Sequence, residues 1–358
     1  MKKKYLFVHI AKAAGSSVNK FFMDALGRER CAVHLESNPQ WQTEEGRAKI
    51  LAKHDYLSGH LVYWDFKSKV DLSQFNVFTF LRDPREHVIS HLAWIRHIAD
   101  PGQEKRFDAH PEYIQRLAKK LSQVDFLDRQ SVSSFVDNLT PVELALLDNP
   151  QTRYLRSGRN RGAVNADDVS DAVQALQEID AFGLVDRINS DLDHVAKLGG
   201  VAANIFSLKE NVLTEKYGMS LQDAGLFNAL NQLIRFDLAL YEKAIGLKSA
   251  EIVEKTLLNN KNQDFVYRLD KLHSDIVAGW IKTASNQPTS DFFDVLVNGL
   301  YVGQVCPNKS RPDLIMAFGF GCAFNHKFKK DVVLKDGDLL SFVNARTHVV
   351  LFEKNIKL

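Results

Sequence analysis

The hydrophobic pattern of the chain opens with two short apolar runs, each followed by apolar residues at helical spacing. The runs cover residues 4–10 and 76–81, and short apolar runs bounded by turn residues are typical of buried strands. A helix is predicted over residues 18–26, after the first run. After the second run, Asp83 can cap a helix and Pro84 fits its first turn. Two buried strands that are each followed by a helix predict a parallel sheet with right-handed crossovers.

The middle of the chain is mostly helical in pattern. Residues 140–143 read Thr-Pro-Val-Glu, which is a capping box with proline at the first helical position. Apolar spacing predicts further helices over residues 169–179 and 220–241, and a short buried strand over residues 181–186.

From about residue 271 the pattern changes to that of β-hairpins. Residues 292–305 predict a hairpin around Asn298-Gly299, because this dipeptide suits a type I′ turn. Residues 332–342 predict a second hairpin around Asp336-Gly337.

The chain has 358 residues, which is long enough for two domains. We predict an α/β domain over residues 1–246, a polar linker or helix over 247–270, and a small all-β, sandwich-like domain over 271–358. The expected fold class is α/β, a parallel sheet flanked by helices, with the β domain appended.

Composition narrows the class of protein. Hydrophobic content of 45% and charged content of 25% are typical of globular proteins, and a net charge of +2 gives no sign of nucleic-acid binding. No apolar run has the length of a membrane span, and the run over residues 5–11 is too short for a secretory signal. The three cysteines form neither a disulfide framework nor a CxxC pair, so a cytoplasmic location is expected.

The loop after the first strand carries Lys12, Gly15, Ser16 and Ser17. A strand, a small-residue loop and a helix start together form an anion site, because unpaired N–H groups and the helix dipole converge there. The serines can donate to phosphate oxygens or only cap the helix, and the lysine can face an anion or only solvent. Lysine precedes the glycine by three residues, so the nucleotide-kinase loop G-x-x-x-x-G-K-[ST] is absent.

A second candidate anion site follows the second strand. Arg82 ends that strand with a fork of donors suited to phosphate, and Ser90 lies two turns into the next helix. Taken singly, Arg82 could instead pair with Asp83 or Glu86, and Ser90 could be a surface hydroxyl. Two such sites in one fold predict a ligand with phosphate at both ends.

Residues 9–17, His-Ile-Ala-Lys-Ala-Ala-Gly-Ser-Ser, resemble the H-I-P-K-T-A/G-G-[ST]-[ST] loop of PAPS-dependent carbohydrate sulfotransferases related to heparan sulfate 2-O-sulfotransferase. Residues 81–90, Leu-Arg-Asp-Pro followed by Ser90, are similar to the second signature of that family. Weaker likeness at 149–155, 182–186 and 236–241 extends the resemblance over about residues 4–245.

The resemblance implies a P-loop-NTPase-like sheet and PAPS (3′-phosphoadenosine-5′-phosphosulfate) as the sulfuryl donor. In the family the first motif binds the 5′-phosphosulfate and the second binds the 3′-phosphate. The residues expected to bind this co-substrate are Lys12, Ala14, Gly15, Ser16, Ser17, Arg82 and Ser90.

Sulfuryl transfer needs a cation beside the leaving oxygen and a base for the acceptor hydroxyl. Lys12 suits the first role. His60, in Leu57-Ser-Gly-His-Leu-Val-Tyr63, resembles the second histidine of the family's catalytic H-G-H-x-x-Y segment, with Ser58 in place of the first. The alternative for His60 is a hydrogen bond at the end of a strand. His9, in the middle of the first run, is expected to be a satisfied core histidine.

Other matches and departures bear on the acceptor and the donor. Gln151 and Arg153 match a family segment near the acceptor and the co-substrate. Ala11 replaces the family proline, and Ala13 replaces a threonine whose hydroxyl could contact phosphate, so affinity for the donor could be lower. No constellation of metal ligands stands out in the sequence, and no metal is expected.

The C-terminal module resembles a small β-domain appended to many bacterial glycosyltransferases and sulfotransferases, on residues 278–280, 298–299 and 311–314. Its Trp280, Phe292 and Phe293 could stack on sugar rings, although strand aromatics more often fill a core.

The function expected from this resemblance is transfer of the sulfuryl group of PAPS to a hydroxyl of a carbohydrate or glycoconjugate. No nucleic-acid partner and no integral membrane segment are expected. Two alternatives remain open at this point. One is a nucleotide-dependent kinase, and the other is an inactive carbohydrate-binding relative.

Overall fold

The computed structural model describes residues 3–158, 162–202, 217–257, 264–329 and 331–358. The chain divides into two compact units, Met1–Glu242 and Lys243–Leu358. Among the helices of the described ranges, none combines the length and the apolar character that crossing a membrane requires.

The first unit alternates strands and helices. Its elements are β1 (Lys4–Val8), α1 (Gly15–Leu26), β2 (Cys31–Ala32), α2 (Glu44–Lys53), β3 (Tyr56–Gly59), α3 (Tyr63–Lys69), β4 (Phe75–Leu81), α4 (Pro84–Ile98), α5 (Glu104–Asp108), α6 (Glu112–Ser122), α7 (Arg129–Asp137), α8 (Pro141–Leu147), α9 (Pro150–Leu155), α10 (Ala166–Glu178), β5 (Ala181–Leu184), α11 (Ile188–Leu198) and α12 (Ala224–Ala229). Helix α13 (Asn231–Leu257) contains the boundary between the units.

The described strands of the first unit form one parallel sheet in the order β2-β3-β1-β4-β5. Strand β1 lies between β3 and β4, with Val8 opposite Gly59 on one side and Thr79 on the other. The chain moves to one side of β1 for β2 and β3, then to the other side for β4 and β5. A crevice is expected at the carboxyl end of β1, where the strand order reverses.

Helices cover the sheet and confirm the predicted α/β class. Phe7 and Phe78, neighbours on the sheet, stack with ring centroids 4.9 Å apart, and Phe22 of α1 packs against them. Helix α11 adds Leu192 and Val195 to the same core. A second apolar core joins α4 to the helices α6, α7, α12 and α13.

Most elements predicted for the first unit are confirmed. Asp83 caps α4 by accepting a bond from the Arg85 N–H, and Thr140 opens α8 with the expected capping box. The single helix predicted over residues 220–241 is wrong. Two helices, α12 and α13, meet at Leu230, whose φ of −90° and ψ of 1° leave the helical region.

The second unit is built mainly of antiparallel strands. Its elements after α13 are β6 (Phe265–His273), β7 (Ile276–Thr283), β8 (Phe293–Val297), β9 (Leu300–Val305), α14 (Pro312–Phe318), β10 (Ala323–Lys327), β11 (Leu339–Asn344) and β12 (Val350–Asn355). They form the sheets β10-β7-β6 and β12-β11-β8-β9. Both sheets contribute to one core, in which the ring centroids of Phe324 and Phe342 are 5.5 Å apart.

The hairpin predicted around Asn298-Gly299 is confirmed, with φ of 51° and 78° at its two turn residues. The second hairpin is wrong, because residues 332–335 are not a strand. There the N–H of Leu334 donates to the Ser274 carbonyl and its side chain joins the core, so the segment is a loop that Leu334 anchors.

The range predicted as a linker, residues 247–270, includes the end of α13 and the first residues of β6, while residues 258–263 lie outside the described part of the chain. The aromatic residue Phe293 fills the core, and Trp280 packs against Phe318.

Candidate functional site

The loop between β1 and α1 has an uncapped helix start. Helix α1 begins at Gly15, and its N-cap residue is Ala14, which offers no side-chain cap. Ser16, which is exposed, and Ser17, which is buried, lie inside the first turn, so the alternative that they only cap the helix is wrong. The first N–H groups of a helix have no acceptor within the helix. Helix α1 thus presents them at the carboxyl edge of the sheet.

Gly15 is part of α1 and does not itself adopt a left-handed backbone. The left-handed backbone falls instead on Lys12 and Ala14, with φ of 65° and 62°, and costs roughly 1–2 kcal/mol at each such residue. A Cβ on Gly15 would lie 1.6 Å from Nε2 of His9. The glycine therefore allows the imidazole of His9 to lie directly against the start of α1.

The two predicted anion motifs meet at this edge. The Nη1–H of Arg82, at the end of β4, donates to the carbonyl of Lys12 at 3.3 Å. Arg82 also contacts Glu86 at 3.4 Å, so the alternative ion pair is present beside the loop contact. The ammonium of Lys12 lies 5.5 Å from the ring centroid of Trp94 on α4, the helix that also carries the half-buried Ser90.

Gln151, on α9, holds the backbone of Arg82 from both sides. Its Oε1 accepts the N–H of Arg82 and its Nε2 donates to the Arg82 carbonyl, each at 2.9 Å. The carboxylate of Asp237 in turn supports α9: it accepts hydrogen bonds from the N–H of Gln151 and from both the N–H and the hydroxyl of Thr152. Burial raises the pKa of Asp237 to about 7, against the effect of these donors. The side chain of Gln151 is thus a support for Arg82.

Arg153 forms an ion pair and a hydrogen bond within the first unit. Its Nη2 contacts Asp148 at 2.6 Å and its Nη1 donates to the Gly162 carbonyl at 3.0 Å. Only 11% of its side chain is exposed. This guanidinium links α9 to the segment before α10.

His60 follows β3 and packs against His9. Its Nδ1 lies 2.9 Å from the His9 carbonyl, and the two imidazole rings are 4.0 Å apart. Burial lowers the pKa of both groups, and Lys12 and His34 add to the effect. The hydrogen bond places the proton on Nδ1, which leaves the lone pair on Nε2. The expectation that His9 is satisfied is wrong, because its buried Nδ1 has no partner among the described residues.

Two residues that sequence reasoning did not identify stand beside His60. Oε2 of Glu36 accepts the N–H of His60 at 2.8 Å, and Oε1 lies 3.4 Å from Nδ1 of His34. Both follow β2, which has only two residues and leaves almost no hydrophobic pattern. A Cβ on Gly59 would be 3.0 Å from Glu36, so this glycine permits the close approach. Ser58, two residues before His60, is fully buried inside β3.

Another histidine, His87, bonds to the loop between β1 and α1. Nε2 of His87 lies 2.6 Å from the carbonyl of Ala11, and burial lowers the pKa of His87 to about 4. The carbonyl groups of His9, Ala11 and Lys12 are therefore each bonded to a side chain from a neighbouring segment.

The arrangement brings the uncapped start of α1, the Lys12 ammonium and the His60 imidazole to one edge of the sheet. A cavity of about 440 Å³ lies elsewhere, among α7, α8, α12 and α13, with Asp137, Asn231 and Arg235 in its wall. None of the residues predicted to bind or transfer a group lines it. We place the candidate site at the sheet edge because the convergence of charge and donors is found there.

Compared with known proteins, the chain matches no family profile and no curated protein.

Proposed function

We propose that this protein is a PAPS-dependent sulfotransferase that acts on a carbohydrate hydroxyl. The observation that carries the proposal is the 3.3 Å contact between the Arg82 guanidinium and the Lys12 carbonyl. A donor with phosphate groups at both ends needs two anion sites in one cleft, and the contact joins the two motifs. The order of the strands supports the interpretation of the sheet as P-loop-like, because the loop between β1 and α1 lies at the carboxyl end of the central strand, β1.

In this proposal, the residues at the carboxyl edge of the sheet have three roles: binding the donor, stabilising the leaving oxygen and accepting a proton. The first-turn N–H groups of α1 and the Lys12 ammonium hold the phosphosulfate end, and Arg82 with Ser90 holds the 3′-phosphate. Lys12 stabilises charge on the oxygen that leaves sulfur. The unprotonated Nε2 of His60 accepts the proton of the acceptor hydroxyl as its oxygen bonds to sulfur. The products are a sulfate ester and adenosine 3′,5′-bisphosphate.

Binding of adenosine 3′,5′-bisphosphate tests the cleft separately from turnover. Equilibrium dialysis should show saturable binding that Lys12→Ala and Arg82→Ala each weaken by roughly tenfold or more, since each removes a charge-assisted bond. Lys20→Ala is the matched control, because Lys20 is an exposed lysine on α1 that pairs with Asp24 at 3.0 Å. Absence of saturable binding, or equal weakening in the control, would contradict the proposal.

Turnover tests the chemistry. A panel of sugar acceptors incubated with PAPS should contain one that gains the mass of a single sulfate, and His60→Ala should lower kcat while binding of the bisphosphate is retained. A cytoplasmic location and a carbohydrate partner belong to the same proposal. Thermal stabilisation by ATP with Mg²⁺ but not by the bisphosphate would favour the kinase instead.

A further inference from the structure

His34, Glu36 and His60 gather three ligand atoms at the carboxyl edge of the sheet. A ring nitrogen of each histidine and an oxygen of the glutamate all lie within 4.8 Å of one another. Two histidines and one carboxylate are a donor set that zinc and other divalent transition metals take, with further positions left open.

One of the distances among these atoms already matches that around a bound ion, and all three atoms lie within 4.8 Å of one another. Zinc with ligands at about 2.0–2.2 Å in a tetrahedron keeps them about 3.4 Å apart. Nδ1 of His34 and Oε1 of Glu36 are already 3.4 Å apart. The side chain of His34 is 60% exposed, so it can rotate to adjust its distance from His60.

The second contacts of these groups already orient them as ligands. Nδ1 of His60 donates to the His9 carbonyl, which leaves the lone pair on Nε2 as the ligand of this ring. The Oε2 atom of Glu36 is held by the His60 N–H, which leaves Oε1 toward His34. Metal-ligating histidines commonly have their other ring nitrogen bonded to a carbonyl or carboxylate in this way.

We propose that His34, Glu36 and His60 form a binding site for one divalent transition-metal ion, with Zn²⁺ as the probe. The carboxylate of Glu36 favours the cation and the nearby ammonium of Lys12 opposes it. Because the ion would occupy Nε2 of His60, metal binding and the base function proposed above exclude each other. Only this consequence rests on the proposed function; the site itself rests on the three side chains.

Titration calorimetry of the chelator-treated full chain with Zn²⁺ tests the site. We expect one saturable site that His34→Ala and Glu36→Gln each weaken by roughly tenfold or more. The glutamine keeps an oxygen that can accept the His60 N–H, so loss of binding in that variant does not depend on misfolding. His273→Ala, which removes an exposed histidine of β6, is the matched control and should bind as the unaltered chain does.

Cobalt gives a second readout. Co²⁺ added in place of Zn²⁺ should produce visible absorption bands that both variants lose and the His273→Ala control retains. No saturable heat, or binding that persists in both variants, would overturn the site. Because dialysis with adenosine 3′,5′-bisphosphate uses neither His34 nor Glu36, failure of the sulfotransferase proposal would be recognised separately from failure of this one.

Discussion

Gly15→Ala is the sharpest test of the contact between the loop and the histidine pair. Gly15 is the first residue of α1 and has ordinary helical backbone, so alanine there is not strained by its own φ. The obstacle is His9, whose Nε2 would lie 1.6 Å from the new Cβ. His9 is 6% exposed and is confined between Phe7, at 5.2 Å, and His60, at 4.0 Å between ring centroids.

The expected cost follows from that geometry. The approach is about 1.8 Å shorter than the ordinary van der Waals contact of 3.4 Å, so the imidazole must move. Overpacking of a filled core costs about 1–3 kcal/mol, and loss of ring packing about 0.5–1.5 kcal/mol. Alanine returns at most about 1 kcal/mol through helix propensity. We expect Gly15→Ala to lower the free energy of unfolding by about 2 kcal/mol.

A double-mutant cycle measured by urea unfolding isolates the contact. In a His9→Ala background the obstructing ring is gone, and Gly15→Ala should cost nothing or stabilise, which gives a coupling of about 2–3 kcal/mol. Gly246→Ala is the control, because no described atom lies within 4 Å of its Cβ and α13 should gain from alanine. An equal loss from Gly15→Ala with and without His9 would refute the reasoning.

Three further predictions concern the supports of the site and of the helices. Gln151→Leu should lower stability by about 2 kcal/mol in urea unfolding, since it leaves the N–H and the carbonyl of Arg82 unpaired, and a loss below about 1 kcal/mol would count against that pairing. The folded-state pKa of His87, about 4, lies below its unfolded value, so its contribution of about 3 kcal/mol should be present above pH 6.5 and lost as the pH falls to 4. His87→Gln should flatten that part of the pH profile, and an unchanged profile would contradict the assignment. Thr140→Ala should cost about 1 kcal/mol through loss of its capping box, measurable as a lower urea midpoint, whereas an unchanged midpoint would mean that the box is not stabilising.

The parts of the fold that the sequence predicts are those set by local pattern. Strands β1 and β4 are apolar runs, and the cap of α4 and the turn at Asn298-Gly299 are local chemistry. The hairpin predicted over residues 332–342 has turn residues of the expected type, Asp336-Gly337. It does not form, because the side chain of Leu334 packs in the core and the segment around it is a loop. Local signals do not report such a competing tertiary contact.

The same limit applies to the candidate site. Lys12 and Arg82 are recognisable because each follows a strand, and parallel strands end at one edge. His34 and Glu36 follow the two-residue strand β2. The pairing of β2 with β3 depends on tertiary structure, and a local sequence pattern does not indicate it. Likewise Gly15 marks a place where a Cβ is excluded, but only the folded chain reveals that the neighbour is His9.

The three bonded carbonyls of the loop between β1 and α1 bear on how tightly it can hold a ligand. Each bond fixes the plane of one peptide, and the N–H on the far side of that plane is then fixed as well. A loop whose peptide planes are set in advance loses little conformational entropy when a ligand arrives. A highly charged donor would then bind more tightly and in a better defined orientation, because little of its binding free energy is offset by ordering of the loop.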